Sequence, residues 1–169
     1  MGAERGHRLV PPPKLLLFED FGGDWGRYED ALDGVFMRDL AKGNPTFRGK
    51  RVGCRKTPEF NKRWAAFWHL IQEGRVEDER EPEMRRCERL PWVRYVIDNC
   101  DTDPSIDYWE QRRSGSEMNA MLWLAEEYVV VLGQRADYWL LRTAFCTTRS
   151  GRIASYRREL AAWRAAQKG

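Results

Sequence analysis

The sequence predicts an α+β domain in which N-terminal helices pack on a four-stranded antiparallel meander sheet and a C-terminal helix closes the fold. Three observations predict it. Apolar residues recur at helical spacing in the first half of the chain. Four short runs with strand character follow Asp101 at turn-length intervals. The last twenty or so residues carry one stripe, Ile153, Tyr156, Leu160 and Trp163, at spacings of three and four.

The elements follow in order. Residues 1–26 read as a tail and lead-in, with Pro11, Pro12 and Pro13 favouring extended backbone, and 27–169 as a single domain. Between 28 and 42, Leu32, Val35, Phe36 and Leu40 mark one helix face, and Gly43 with Asn44-Pro45 stops that helix. The basic segment 46–52 reads as a short strand or hairpin arm. A short helix is expected over 64–72, ending before Gly74. The acidic stretch 76–83 reads as a solvated loop, with Pro82 in the first turn of a helix over 83–89. Pro91 breaks or restarts that helix, which then runs to about residue 99. Strands are expected over 106–110, 118–124, 128–132 and 138–145, the third covered on both faces. Strict alternation along 138–145 would put Trp139, Leu141, Thr143 and Phe145 on one face and Tyr138, Leu140, Arg142 and Ala144 on the other. A helix over 149–168 completes the chain.

At 169 residues the chain suits one domain, and 42% hydrophobic with 12% aromatic residues argues against wholesale disorder. No apolar run is long enough to span a bilayer, and no apolar core precedes the three prolines as in a secretory signal. The net charge of +3 hides a segregation. Residues 47–63 and 142–169 each carry 7 basic side chains against 1 acidic, while 64–141 carry 9 against 16. Arginine outnumbers lysine 23 to 6, and its planar fork suits phosphate. Codon usage explains the number of arginines but not their placement in blocks, which reads as an electrostatic footprint for nucleic acid.

Cys54, Cys87, Cys100 and Cys146 show no C-x-x-C pair, and His7 and His69 are the only histidines, so zinc spacing is absent. Neither a metal nor another cofactor is expected. The cysteines read as small buried hydrophobes in a reducing compartment, which places the protein in the cytoplasm, that of the host if a phage encodes it. P-loop, nucleophile-elbow, H-E-x-x-H and dinucleotide-binding patterns are all missing.

Three segments carry candidate chemistry. His69, within F-W-H-L-I, reads either as a core histidine bonded to a backbone carbonyl or as a general acid or base. Arg85, Arg86 and Arg89 stand three and four apart, so a pair can clamp a phosphate from one helix face. Salt bridges to Glu81, Glu83 and Glu88 are the alternative. Thr143 places a hydroxyl among apolar side chains, for a cross-strand bond or a phosphate contact.

The combination of F-W-H-L-I, E-R-E-P-E-M-R-R-C-E-R-L-P-W-V-R and the late R-A-D-Y-W-L-L-R-T-A-F resembles phage and prophage nuclease-like proteins of the barnase–EndoU–colicin–RelE fold, over residues 45–158. The resemblance implies N-terminal helices on a four-stranded antiparallel sheet and metal-independent endoribonuclease activity of phage or toxin type. In that chemistry a base frees the ribose 2′-hydroxyl to attack phosphorus, an acid protonates the leaving 5′-oxygen, and arginines hold the growing charge. It implies His69 as base or acid, Arg86 and Arg89 on the scissile phosphate, Thr143 orienting an oxygen, and Glu88 as a second acid/base group or an arginine's counter-ion. Arg80 and Tyr138 are weaker additions. Phe145 stands where the family has tyrosine. RNA is the implied partner, with the ribosome or an immunity or antitoxin protein as further candidates and no membrane.

The basic blocks point to a wider set of nucleic-acid contacts: Arg48, Arg51, Arg80, Arg85, Tyr138, Arg149 and Arg152, with Arg55, Lys56, Arg157 and Arg158 beside them. Two alternatives share the fold: a non-catalytic nucleic-acid-binding module, and a phage factor that captures a host protein through the acidic loop 77–83 and its tryptophans.

Overall fold

The computed structural model describes residues 11–74, 79–112 and 115–169. The expected tail over 1–10 lies outside the described residues, as do Glu77 and Asp78 of the acidic stretch.

A single 3-10 turn, Phe18–Phe21, ends at Gly22, whose φ of 64° suits glycine. Asp24 then caps α1 (Trp25–Phe36) by accepting from the Arg27 N–H at 3.2 Å. The helix therefore starts three residues earlier than the apolar spacing indicates. Its last turn widens into a π-helical stretch, Met37–Ala41. The lead-in is tied to the rest of the chain: the Tyr28 hydroxyl donates to the Leu16 carbonyl at 2.6 Å, and the Leu16 N–H donates to the Glu88 carbonyl at 2.9 Å.

The basic segment forms a complete hairpin, β1 (Thr46–Phe47) and β2 (Lys50–Gly53). Arg48 and Gly49 turn it, both at positive φ, the backbone of a two-residue type I′ turn. Next come α2 (Ala65–Ile71) and a small two-stranded sheet of β3 (Gln72–Glu73) with β4 (Glu81–Pro82). Pro82 thus sits in a strand and not in a helical first turn. Glu83 is the cap of α3 (Met84–Glu88), accepting from the Arg86 N–H at 2.8 Å. A turn through Pro91 separates α3 from α4 (Trp92–Asn99).

The meander is β5 (Ile106–Arg112), β6 (Met118–Leu124), β7 (Tyr128–Gln134) and β8 (Trp139–Cys146), antiparallel throughout. The sheet nevertheless has six strands and not four, in the order β1-β2-β8-β7-β6-β5. β2 lies parallel to the start of β8, pairing Val52 with Trp139 and Gly53 with Leu140. Only two residue pairs make that junction, and they join segments far apart in sequence, so local pattern carries no trace of it.

The helices divide between the two faces of the sheet. The N-terminal helices cover one sheet face, where Phe36, Phe67, Leu70, Val93 and Val96 meet Leu122, Val130, Leu132 and Leu141. α5 (Ser150–Gln167) covers the opposite face, its Tyr156 and Leu160 packing on Trp109, Met121, Trp123, Val129 and Val131. Each buried side chain of this size contributes roughly 1.5–3 kcal/mol relative to exposure. β7 is therefore buried on both sides, as its unbroken Val129-Val130-Val131 run indicates.

A bulge in β8 changes which residues share a face. Val131 pairs with Thr143, but the next residue, Leu132, pairs with Leu141, leaving Arg142 extra. Trp139, Leu141 and Ala144 therefore belong to the core under the N-terminal helices, and Phe145 packs with the α5 cluster. Thr143 lies opposite Val131, on the α5 side. The strict alternation expected for this strand is corrected at that point.

Candidate nucleic-acid interface

Two clefts flank the C-terminal end of α2. The first, about 320 Å³, lies between α3, the end of β8 and the start of α5. Arg85, Arg86, Arg149 and Arg152 line it, with Glu73 and Glu83. Its geometry begins at the α3 cap. Glu83 sets the first helical turn, so that Cys87 points into the core and Arg85 and Arg86 point along the cleft. Arg85 pairs with Glu83 at 3.1 Å. Arg86 is half-buried and donates to the carbonyls of Gln72 at 2.8 Å and His69 at 3.4 Å. Burial pulls its guanidinium pKa below the ordinary arginine value, against the opposing pull of Glu73 and Glu83.

Phe145 organises the cleft's cations. The Arg86 guanidinium lies 5.6 Å and the Arg152 guanidinium 5.4 Å from the centroid of its ring. An aromatic quadrupole within that reach attracts both charges. Arg149 and Arg152 are exposed and have no ion pair among the described residues. Of the four cations, only Arg85 is ion-paired among the described residues.

The second cleft, about 420 Å³, lies beside α2 and is lined by Phe60, Trp68, His69, Gln72 and Arg80 among others. Arg80 donates to His69 Nδ1 and, through Nε, to the Gly74 carbonyl at 3.2 Å. Gly74 has a φ of 145°, and a Cβ there would stand 3.1 Å from Arg80 Cγ, so glycine lets the arginine fold back. Because a guanidinium only donates, the neutral His69 ring keeps its proton on Nε2. His69 also borders a third cleft with Arg55, Arg135 and Arg142, which adjoins a fourth holding Arg51 and Tyr138.

The residues singled out in the sequence fall into separate groups. Arg85, Arg86, Arg149 and Arg152 come together in the first cleft. His69 and Arg80 meet in the second. Arg51 stacks on Tyr138, its guanidinium 4.6 Å from the ring centroid. Arg48 is engaged elsewhere, holding Asp101 with two hydrogen bonds of 2.9 and 3.2 Å and lying 3.8 Å from the Tyr108 ring centroid. Arg89 pairs with Glu127 at 3.1 Å and Glu88 at 3.5 Å and lies 5.1 Å from the Trp92 ring. Thr143 is on the α5 side of the sheet. The resemblance-derived set of His69, Arg86, Arg89 and Thr143 therefore does not line one common cleft.

No protein-family model, curated protein or solved structure matches the chain. The nuclease-like resemblance has no support beyond its own residues, and function rests on the clefts. Among the described residues no cluster of His, Cys, Asp or Glu could hold a metal ion, and no helix is long and apolar enough to cross a membrane.

Sequence reasoning missed Arg135, Arg142, Phe60 and Trp68. Arg142 lay within a basic block, which was its only signal. Its Nε would be 2.5 Å from a Cβ at position 133, so Gly133 makes room for that side chain over the sheet. Nothing in the sequence around Phe60 marks it as exposed.

Proposed function

We propose that the protein binds RNA by its phosphodiester backbone, in the cleft formed by α3, the end of β8 and the start of α5. The carrying observation is that Arg149 and Arg152 stand exposed and, among the described residues, without ion pairs in the cleft that Arg86 lines, with the guanidinium groups of Arg86 and Arg152 both beside the Phe145 ring. Guanidinium groups without carboxylate partners, grouped in a concave site, have the charge for bidentate phosphate contacts. The arginines of the third and fourth clefts extend the positive surface past His69. Fluorescence anisotropy with labelled RNA at rising salt tests the reading. Affinity should fall steeply with salt as condensed counterions are released. Arg149→Glu with Arg152→Glu should weaken binding at least tenfold, each contact costing of order 1.4 kcal/mol. Salt-independent affinity, or full affinity in the double variant, rules the reading out.

A second reading adds metal-independent endoribonuclease activity of phage or toxin type, acting in the cytoplasm on free or ribosome-bound RNA under control of an immunity or antitoxin protein. One feature favours it: His69 borders the second and third clefts, beside Arg80, Arg55, Arg135 and Arg142, and imidazole is the side chain used most often as a general acid or base. Incubation with total RNA in EDTA should yield cleavage that His69→Ala abolishes. Intact RNA, or equal cleavage by that variant, leaves the binding reading alone.

A further inference from the structure

The second cleft contains a feature that phosphate binding does not require. Phe60 is the one exposed large hydrophobic residue of the described chain, at 63% exposure. It is nevertheless held firmly. Its backbone exchanges two hydrogen bonds of 3.0 Å with Arg63 across the turn Asn61-Lys62, both residues at positive φ. Arg63 in turn is anchored to α1 by three carboxylates, Glu29 at 3.1 Å, Asp30 at 2.6 Å and Asp33 at 3.0 Å. Beside the ring stands Trp68, whose Nε1 donates to the Phe60 carbonyl at 3.0 Å; the two ring centroids are 5.6 Å apart. An exposed aromatic face on a backbone fixed this way is a platform whose ordering cost is met before a ligand arrives.

We infer that this cleft takes an unpaired nucleobase stacked on the exposed Phe60 ring beside Trp68, so that the ligand is single-stranded RNA and not a duplex. The inference rests on the RNA-binding reading and deepens it. The volume of about 420 Å³ falls within the usual range of small-ligand sites, roughly 300–1,000 Å³. Glu59 and Gln72 line the same cleft and offer hydrogen-bonding groups to a base edge, while Arg80 supplies a cation for the attached phosphate. The first cleft is adjacent: Arg86, which lines it, bonds the Gln72 and His69 carbonyls, and Gln72 and His69 line the second. One strand can therefore set its phosphates on the arginines and turn a base onto the Phe60 ring. Bases in a duplex are stacked on their neighbours and do not reach such a platform without unpairing.

The test compares a short labelled single-stranded RNA with the same sequence annealed to its complement, using the full chain. The single strand should bind about tenfold tighter, the scale of one base–aromatic stack. Phe60→Ala should bring the single strand down to the duplex affinity and leave the duplex unchanged. Phe60→Tyr, which keeps a stacking face, should retain the preference. Replacing one base of the strand by 2-aminopurine should give an emission change on binding that Phe60→Ala removes. Equal affinity for both forms, or an equal loss for both in Phe60→Ala, overturns the inference and leaves backbone binding standing. Absence of binding to either form overturns both.

Discussion

The Arg86 guanidinium closes the C-terminal end of α2 by donating to the Gln72 carbonyl at 2.8 Å, from a position 14 residues later in the chain, in α3. The last carbonyls of a helix have no intrahelical donor, and a cation there also meets the negative end of the helix dipole. The same contact links the two clefts, because Gln72 and His69 border one and Arg86 borders the other.

Arg86→Ala should therefore destabilise the fold by about 1–3 kcal/mol, the cost of leaving half-buried carbonyls without their donor. Urea unfolding measures it. Arg86→Lys should recover only part of the loss, since an ammonium lacks the fork and cannot lie flat on the Phe145 ring. A wild-type midpoint in Arg86→Ala would show that the contact serves RNA alone.

Arg149 and Arg152 should behave in the opposite way. Both are exposed and without ion pairs among the described residues, and Arg152 adds only a 3.4 Å bond to the Tyr156 hydroxyl and contacts with the Phe145 and Tyr156 rings, so alanine at either position should change stability by less than about 0.5 kcal/mol. Each should weaken RNA binding and lower the salt slope by roughly one. Arg48→Ala provides the contrast. Its bidentate bond to Asp101 and its stacking on Tyr108 make it a fastening between the β1–β2 turn and the turn after α4. That variant should lose stability and keep RNA affinity.

These contrasts show how far the sequence could be read. The four meander strands, the α5 stripe and the strand character of the basic segment were legible because each is written in residues close together. Two features were not. The parallel docking of β2 on β8 depends on two pairs joining distant segments, Val52 with Trp139 and Gly53 with Leu140. The bulge at Arg142 is a register event visible only against its partner strand, and it separates Thr143 from Leu141 and Trp139. In the site, Arg149 and Arg48 look alike as members of basic blocks. Only the positions of Asp101 and Tyr108 reveal that one is engaged and the other free.

A buried hydroxyl relay gives a third prediction. Trp123 Nε1 donates to Thr147 Oγ1 at 2.9 Å, and that hydroxyl donates to the Glu126 carbonyl at 2.7 Å. Thr147 is 3% exposed, so no water replaces it readily. Thr147→Val keeps the shape but leaves an indole N–H and a carbonyl unpaired, and should cost about 1–3 kcal/mol per unpaired buried group. Thr147→Ser should be nearly neutral. A Val variant as stable as wild type would show that the relay contributes nothing.

The acid side of the stability profile should depend on Asp103. Burial raises the pKa of its carboxyl, but hydrogen bonds from the Ser105 hydroxyl, the Tyr95 hydroxyl and the Ser105 N–H outweigh this and leave it below the ordinary aspartate value. Those bonds are 2.6, 2.7 and 2.9 Å long. On the other side of the pair, burial together with the Asp103 carboxylate pushes the Tyr95 phenol up to about 12. With the folded value depressed, the unfolded chain takes up the proton first. The carboxylate's contribution is thus complete above the unfolded value of about 3.9 and is lost as pH falls through the folded one. Asp103→Asn should be less stable than wild type at neutral pH, and the gap should narrow as pH falls below the unfolded value of about 3.9 and close below the folded one. Urea midpoints for both proteins across that range measure the gap. A gap constant with pH would mean that Asp103 acts by shape and hydrogen bonding alone, with no contribution from its charge.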